Sequence, residues 1–181
     1  ESVIIALIAD GKLVERAEPG KNVEIVARET PFYAESGGQS ADVGVITLAG
    51  ASASAPSVRF VVSDVQKPAG GLIVHRGQLE GGPLSVGMRV ALEVDHERRG
   101  ATRRNHSATH LLHFALRHVL GEHVQQKGSL VGPERLRFDY AHGKTLTPEQ
   151  VTRIEDVVNE MVLANAEVIT AVLPIAEARS S

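Results

Sequence analysis

The apolar pattern of this chain changes period once, between Asp95 and Gly100, and that single change limits the possible fold more than any other feature. Before it, short β-branched runs alternate with glycine-bearing turns, the pattern of half-buried strands. The spacing predicts strands over Val3 to Ile8, Val23 to Arg28, Val43 to Leu48, Val58 to Val65, Leu72 to Gln78 and Arg89 to Val94. Asp10-Gly11 offers a hairpin turn into a further run, Lys12 to Arg16. Six or seven strands at this spacing suit a small barrel or a sandwich. The small-residue stretch Ala49 to Ser57 reads as a flexible surface loop.

After His96 the period lengthens to that of helices. A helix is expected over Asn105 to Leu120, stopped by Gly121, then strands over Val124 to Val131 and Arg135 to Tyr140 around the turn Gly132-Pro133-Glu134. A second helix starts at Thr147, a natural N-cap, with Pro148 in the first position and Gln150 completing a capping box. Its buried stripe would be Val151, Ile154, Val157, Val158, Met161 and Val162. A last strand is expected over Glu167 to Leu173, ended by Pro174. The fold class is therefore α+β: a β-barrel subdomain over 1–95, then an α/β sandwich over 96–181 whose two main helices pack on an antiparallel sheet.

Composition narrows the chemistry. The 181 residues include no cysteine, which excludes a disulfide framework and a thiol nucleophile. A net charge of −3 gives no global electrostatic case for nucleic acid, so a local patch is needed. With no apolar run near 18 residues and no leader-like start, a soluble cytoplasmic protein is expected. Hydrophobic residues at 43% are ordinary for a globular chain, so disorder explains nothing here.

Within the first expected helix, His106 and His110 stand four residues apart and share one face. On a wheel with His106 at zero, His110 falls near ~40°, His113 near ~340° and Arg117 near ~20°, whereas the apolar set from Ala108 to Val119 centres near ~200°. The histidines thus point away from the packing stripe, where they could grip one metal ion or stand solvated. Two imidazoles leave a tetrahedral site half built. Just before them, Arg98, Arg99, Arg103 and Arg104 lie within seven residues. They could meet a phosphate backbone at a helix N-terminus, or form a solvated turn with Glu93, Asp95 and Glu97.

A second motif interrupts the strand pattern: Thr30-Pro31-Phe32-Tyr33-Ala34-Glu35-Ser36-Gly37-Gly38-Gln39. Phe32 reads as a core plug, and the paired glycines as either a tight turn or a loop that approaches a ligand closely. Gln39 can donate to and accept from polar groups. Glu35 could serve as a general base or stand solvated.

The run TPFYAESGGQSADVG, together with NHSATHLLHFALRHVLGEHVQQKGSLVGPERLRFDYAH, strongly resembles the editing domain of alanyl-tRNA synthetases. That module is shared with free-standing alanyl-tRNA editing proteins and, more distantly, with threonyl-tRNA synthetases. The segment ahead of TPFY looks like the full synthetase.

The resemblance implies hydrolysis of the ester in tRNA(Ala) mischarged with serine or glycine, within an enzyme whose separate aminoacylation domain uses ATP and magnesium. It implies zinc bound by His106 and His110. A Cys-Gly-Gly-Thr-His motif supplies the other ligands in that family, and the chain reaches Ser181 before one occurs, so an excised piece with a half-complete metal site is expected. Ser36, Gly37, Gly38 and Gln39 would line the substrate pocket. The acceptor end of the tRNA would meet Lys127 and the arginine cluster, assigned on charge and placement.

Three alternatives remain at this point: a catalytically inactive tRNA-binding fragment, a free-standing editing hydrolase, and a metalloenzyme unrelated to tRNA that uses His113 or Glu122 as an extra ligand.

Overall fold

The computed structural model describes residues 1–50, 58–167, 169 and 171–178. The first half contains nine strands: β1 (Ser2–Ala9), β2 (Lys12–Val14), β3 (Arg16–Ala17), β4 (Asn22–Ala27), β5 (Gly44–Leu48), β6 (Arg59–Gln66), β7 (Val74–Glu80), β8 (Leu84–Ser85) and β9 (Arg89–Val94). Seven of them form one antiparallel sheet in the order β2-β1-β4-β7-β6-β5-β9. β1 also pairs with β9, through Ser2 to Val90 and Val3 to Arg89, so six strands return upon themselves in a ring.

The turn at Asp10 and Gly11, both at positive φ, folds β2 back on β1 as the Asp-Gly pair leads one to expect. Expected run Lys12 to Arg16 is divided, because Arg16 and Ala17 leave β1 and pair with β8 instead. Register shifts in β1 and β6 bend strands that must curve round the ring. Gly77 meets a second demand of that curvature: a Cβ there would collide with the backbone carbonyl of Val61 on β6. Inward-facing Ile4, Leu7, Ile25, Ile46, Phe60, Val65, Leu79 and Val90 fill the interior with no exposure to solvent.

The second half comprises α1 (His96–Leu120), β10 (Gln126–Val131), β11 (Leu136–Tyr140), α2 (Pro148–Ala164) and the short α3 (Ile175–Ala178). α1 begins nine residues before its expected start. Asp95 explains the difference: its carboxylate accepts the backbone N–H of Arg98 and so caps the helix, carrying the arginine stretch and Gly100 into helical turns. α2 opens as its sequence predicts, with the Thr147–Gln150 capping box formed in both directions. Its buried stripe is narrower than expected. Ile154 and Val157 are buried and pack with Leu112, Ala115 and Leu116 of α1, while Val151, Met161 and Val162 are exposed.

The strand expected over Glu167 to Leu173 is absent from the described residues of that stretch; Val168 and Thr170 lie outside them. Ile169 and Val172 are 82% and 98% exposed, so the segment meets neither a sheet edge nor a core that would hold it extended. Most of the expected loop from Ala49 to Ser57, residues 51–57, is likewise outside the described residues. No described helix is long and apolar enough to cross a membrane.

Candidate functional site

The segment between β4 and β5 leaves the ring and reaches the helical half. It starts from a buried anchor. His75 on β7 is fully enclosed, its Nδ1 donating to the Ile25 carbonyl at 3.0 Å and its Nε2 accepting from the Thr30 hydroxyl at 2.7 Å. The Thr30 oxygen in turn accepts the N–H of Phe32 at 3.1 Å, and the Phe32 ring meets the imidazole edge-on at 5.3 Å. Burial pushes this imidazole below its usual 6.5, against the raising effect of its bond to Ile25, so it is held neutral. Phe32 is thus a core plug, as read from sequence.

Asp42 supplies the second anchor. Its nearly buried carboxylate accepts the Tyr33 N–H at 2.7 Å and receives the guanidinium of Arg99 from α1, whose Nε lies 3.1 Å from both oxygens. Arg99 also donates to the Pro31 carbonyl at 2.6 Å. The hydrogen bonds to Asp42 raise the Arg99 pKa, with burial opposing, and keep the group charged. Its Nε and Nη2 donors are therefore engaged within the fold, which sets Arg99 apart from the other arginines of the expected RNA-contacting cluster.

Between these anchors and β5 the chain makes a tight turn. Ser36 and Gln39 exchange backbone hydrogen bonds of 3.3 and 2.9 Å around Gly37 and Gly38, whose φ angles of +59° and +84° suit a two-residue turn of the primed kind. The tight-turn reading of the glycine pair is therefore realised, and it does not exclude a ligand. Gly38 has a further constraint. A Cβ there would strike the Ser129 carbonyl and lie 2.7 Å from its hydroxyl oxygen. The turn adds to the edge of β10: Val131 N–H donates to the Gly38 carbonyl at 2.8 Å, and Ser40 N–H to the Val131 carbonyl at 2.9 Å. The N–H groups of Gly37 and Gly38 themselves donate to nothing among the described residues. Glu35 is exposed and accepts from the Gln66 amide at 2.8 Å.

This docking brings the two sequence motifs together. Gln39 Oε1 lies 2.6 Å from His106 Nδ1. His106 and His110 are exposed, their rings 5.0 Å apart and inclined by 20°. The pair could offer a metal at most two nitrogens: Nδ1 of His106 is engaged with Gln39, leaving Nε2, and no third His, Cys, Asp or Glu joins the pair among the described residues. Neither His113 nor Glu122 completes it. The His113 ring packs against Phe138 at 5.1 Å and its Nε2 is buried without a hydrogen-bond partner among the described residues, although helical rotation groups it with the outward-facing histidines.

Arg103 and Arg104 lie elsewhere on α1. With Ser107, Leu111, Val162 and Asn165 they line a groove of about 640 Å³ between α1 and α2, which the histidines do not line. Arg98 and Lys127 are exposed, and Lys127 stands at the register shift of β10. The arginine cluster is thus divided over the helix surface by its rotation.

Sequence reasoning passed over Asp42, His75 and Asn105. The Asn105 amide donates to the Gly132 and Pro133 carbonyls at 2.7 and 3.2 Å, tying α1 to the β10–β11 turn. Its place directly before His106 was the available signal; Asp42 and His75 had none, since their partners lie 57 and 50 residues away.

Residues 1–98 match the family model of tRNA synthetases class II (A). Along 167 residues, 92% of its length, the chain is 62% identical to an alanine–tRNA ligase of Sorangium cellulosum, and over all 181 residues it is 50% identical to one of Rhodopseudomonas palustris. The chain spans 17% and 20% of the lengths of these two relatives.

Proposed function

Because the chain belongs to the family of class II tRNA synthetases (A), we propose that it is the proofreading part of an alanine–tRNA ligase, hydrolysing tRNA(Ala) esterified with serine or glycine. On this reading residues 1–95 are a barrel subdomain, and 96–181 an editing core in which the helices cover β10 and β11.

The observation that carries the proposal is the 2.6 Å contact of Gln39 with His106, which unites a polar glycine turn from one half with an imidazole pair from the other. An aminoacyl ester is already activated, so the site must chiefly orient it and stabilise the developing oxyanion. The unengaged N–H groups of Gly37 and Gly38 are two adjacent donors for that oxygen. The Gln39 amide N–H₂, with Ser36, can hydrogen-bond the hydroxyl by which serine differs from alanine. A synthetic pocket rejects an added hydroxyl poorly, and a second site that uses it restores selectivity. A zinc ion held by His106 and His110 would supply a Lewis acid or a substrate anchor. Arg98, Arg103, Arg104 and Lys127, with no side-chain partner among the described residues, suit the phosphates of an acceptor end.

The test is deacylation of Ser-tRNA(Ala), Gly-tRNA(Ala) and Ala-tRNA(Ala) by this chain with added zinc. The serine and glycine esters should be cleaved and the alanine ester spared, with Gly38→Ala and His110→Ala returning the rate to background. Equal rates on serine and alanine esters overturn the proposal. Salt-dependent RNA binding without turnover on any ester would favour a binding role alone.

A further inference from the structure

We infer that Gln39 is a positioning residue for His106: its side-chain carbonyl holds the Nδ1–H of that imidazole, so the glycine turn of the strand ring determines which ring nitrogen is left to face a cation. For the cation the inference rests on the proposed reading of the histidine pair; for the imidazole it stands on geometry alone.

A carbonyl oxygen only accepts. With Oε1 at 2.6 Å, His106 Nδ1 must carry the hydrogen, and a neutral ring then presents its lone pair at Nε2. Metal-binding imidazoles commonly have their second nitrogen held in this way, which orients the ring before the ion arrives.

The contact spans 67 positions of sequence, yet both partners are referred to the same strand end. Gln39 is bridged to Val131 by the bonds from Val131 N–H to Gly38 and from Ser40 N–H to Val131. Asn105, the residue before His106, is bonded to Gly132 and Pro133. The turn cannot drift towards β10, because Gly38 already touches Ser129 so closely that no Cβ would fit. Gln39, through its neighbours, and His106, through Asn105, are therefore both referred to Val131 and Gly132, two consecutive residues. His110 has no such partner among the described residues: its ring contact is with His106. One imidazole of the pair is oriented in advance and the other is left to the ion.

Two variants separate this role from a merely structural one. Gln39→Leu removes the acceptor at similar size, and Gln39→Glu keeps it. Two-bond proton–nitrogen NMR correlations on the full chain should show His106 as Nδ1–H in the original protein and in Gln39→Glu. In Gln39→Leu they should show the Nε2–H form that free imidazole favours. Cobalt(II), used as the optical probe, should bind Gln39→Leu about tenfold more weakly than the original protein, within the range typical of lost outer hydrogen bonds to a metal ligand, while Gln39→Glu retains the original affinity. An unchanged urea midpoint would show that the turn remains folded.

The same tautomer and the same cobalt affinity in Gln39→Leu overturn the inference, as does an Nε2–H form of His106 in the unsubstituted chain. A chain that takes up no cobalt would fail the proposed metal role, while the NMR measurement still decides the role of Gln39.

Discussion

Among the described residues the strand half joins sixteen buried apolar side chains into one cluster, whereas the helical half joins five. The ring closes its own edges and fills its own interior. The helical half leaves Val162, Leu163, Val172 and Ile175 more than half exposed. The turn that carries Gln39 is anchored on the ring side by His75 and Asp42, and it meets the helical half through β10 and α1. The more strongly packed half thus supplies the polar turn, and the more thinly packed half supplies the imidazoles. The difference teaches that the site's geometry can be lost without unfolding the ring.

The largest expected effect tests this inequality directly. Phe60→Ala, which empties the centre of the ring at a residue with no exposure, should cost about 3–5 kcal/mol in urea unfolding. Val157→Ala between α1 and α2 should cost roughly half as much, given the smaller group removed. Equal losses would break the comparison.

Next comes the link between the halves. Arg99→Ala leaves the Asp42 carboxylate, 8% exposed, without its cation. About 2 kcal/mol is expected, below the range for a fully buried pair because the Arg99 side chain is 28% exposed. A cost confined to the helical half, read by hydrogen exchange, would show that Asp42 holds the turn without α1.

The two glycines of the turn sharpen the contrast further. Gly38→Ala combines a positive φ with a collision against Ser129, and should cost about 2 kcal/mol and separate the turn from β10. Gly37→Ala has the same backbone strain and open space around it, so about 1 kcal/mol is expected. Identical melting curves for the two would show that β10 yields.

The smallest effect is one of pH. The His75 pKa is depressed in the folded chain, so the unfolded chain takes up a proton that the folded one resists. Its contribution to stability is therefore complete above pH 6.5 and declines as the pH falls below that value. His75→Gln should remove this part of the slope; an unaltered slope would assign it to other groups.

Much of the ring was legible beforehand because strand alternation and glycine turns are local properties. β1, β4, β5 and β9 lie within a residue or so of their expected bounds. α1 was misjudged at its start, since a capping bond from Asp95 outweighs an arginine-rich stretch that looks like a turn. The strand expected near Ile169 failed for a different reason. β-branched residues favour extension only where an edge and a core receive them, and neither is a property of the segment itself.

The site divides in the same way. That His106 and His110 share a face follows from helical rotation, and that Gly37 and Gly38 form a turn follows from their freedom at positive φ. Those features the amino-acid order determines alone, because each depends on residues within four positions of one another. Which atom of Gln39 meets which nitrogen of His106, and which arginine is withdrawn to bind Asp42, tertiary structure alone decided. Such contacts join residues 67 and 57 positions apart, and hydrogen bonds of this kind form only after ring closure and helix docking have brought their partners within 3 Å or so.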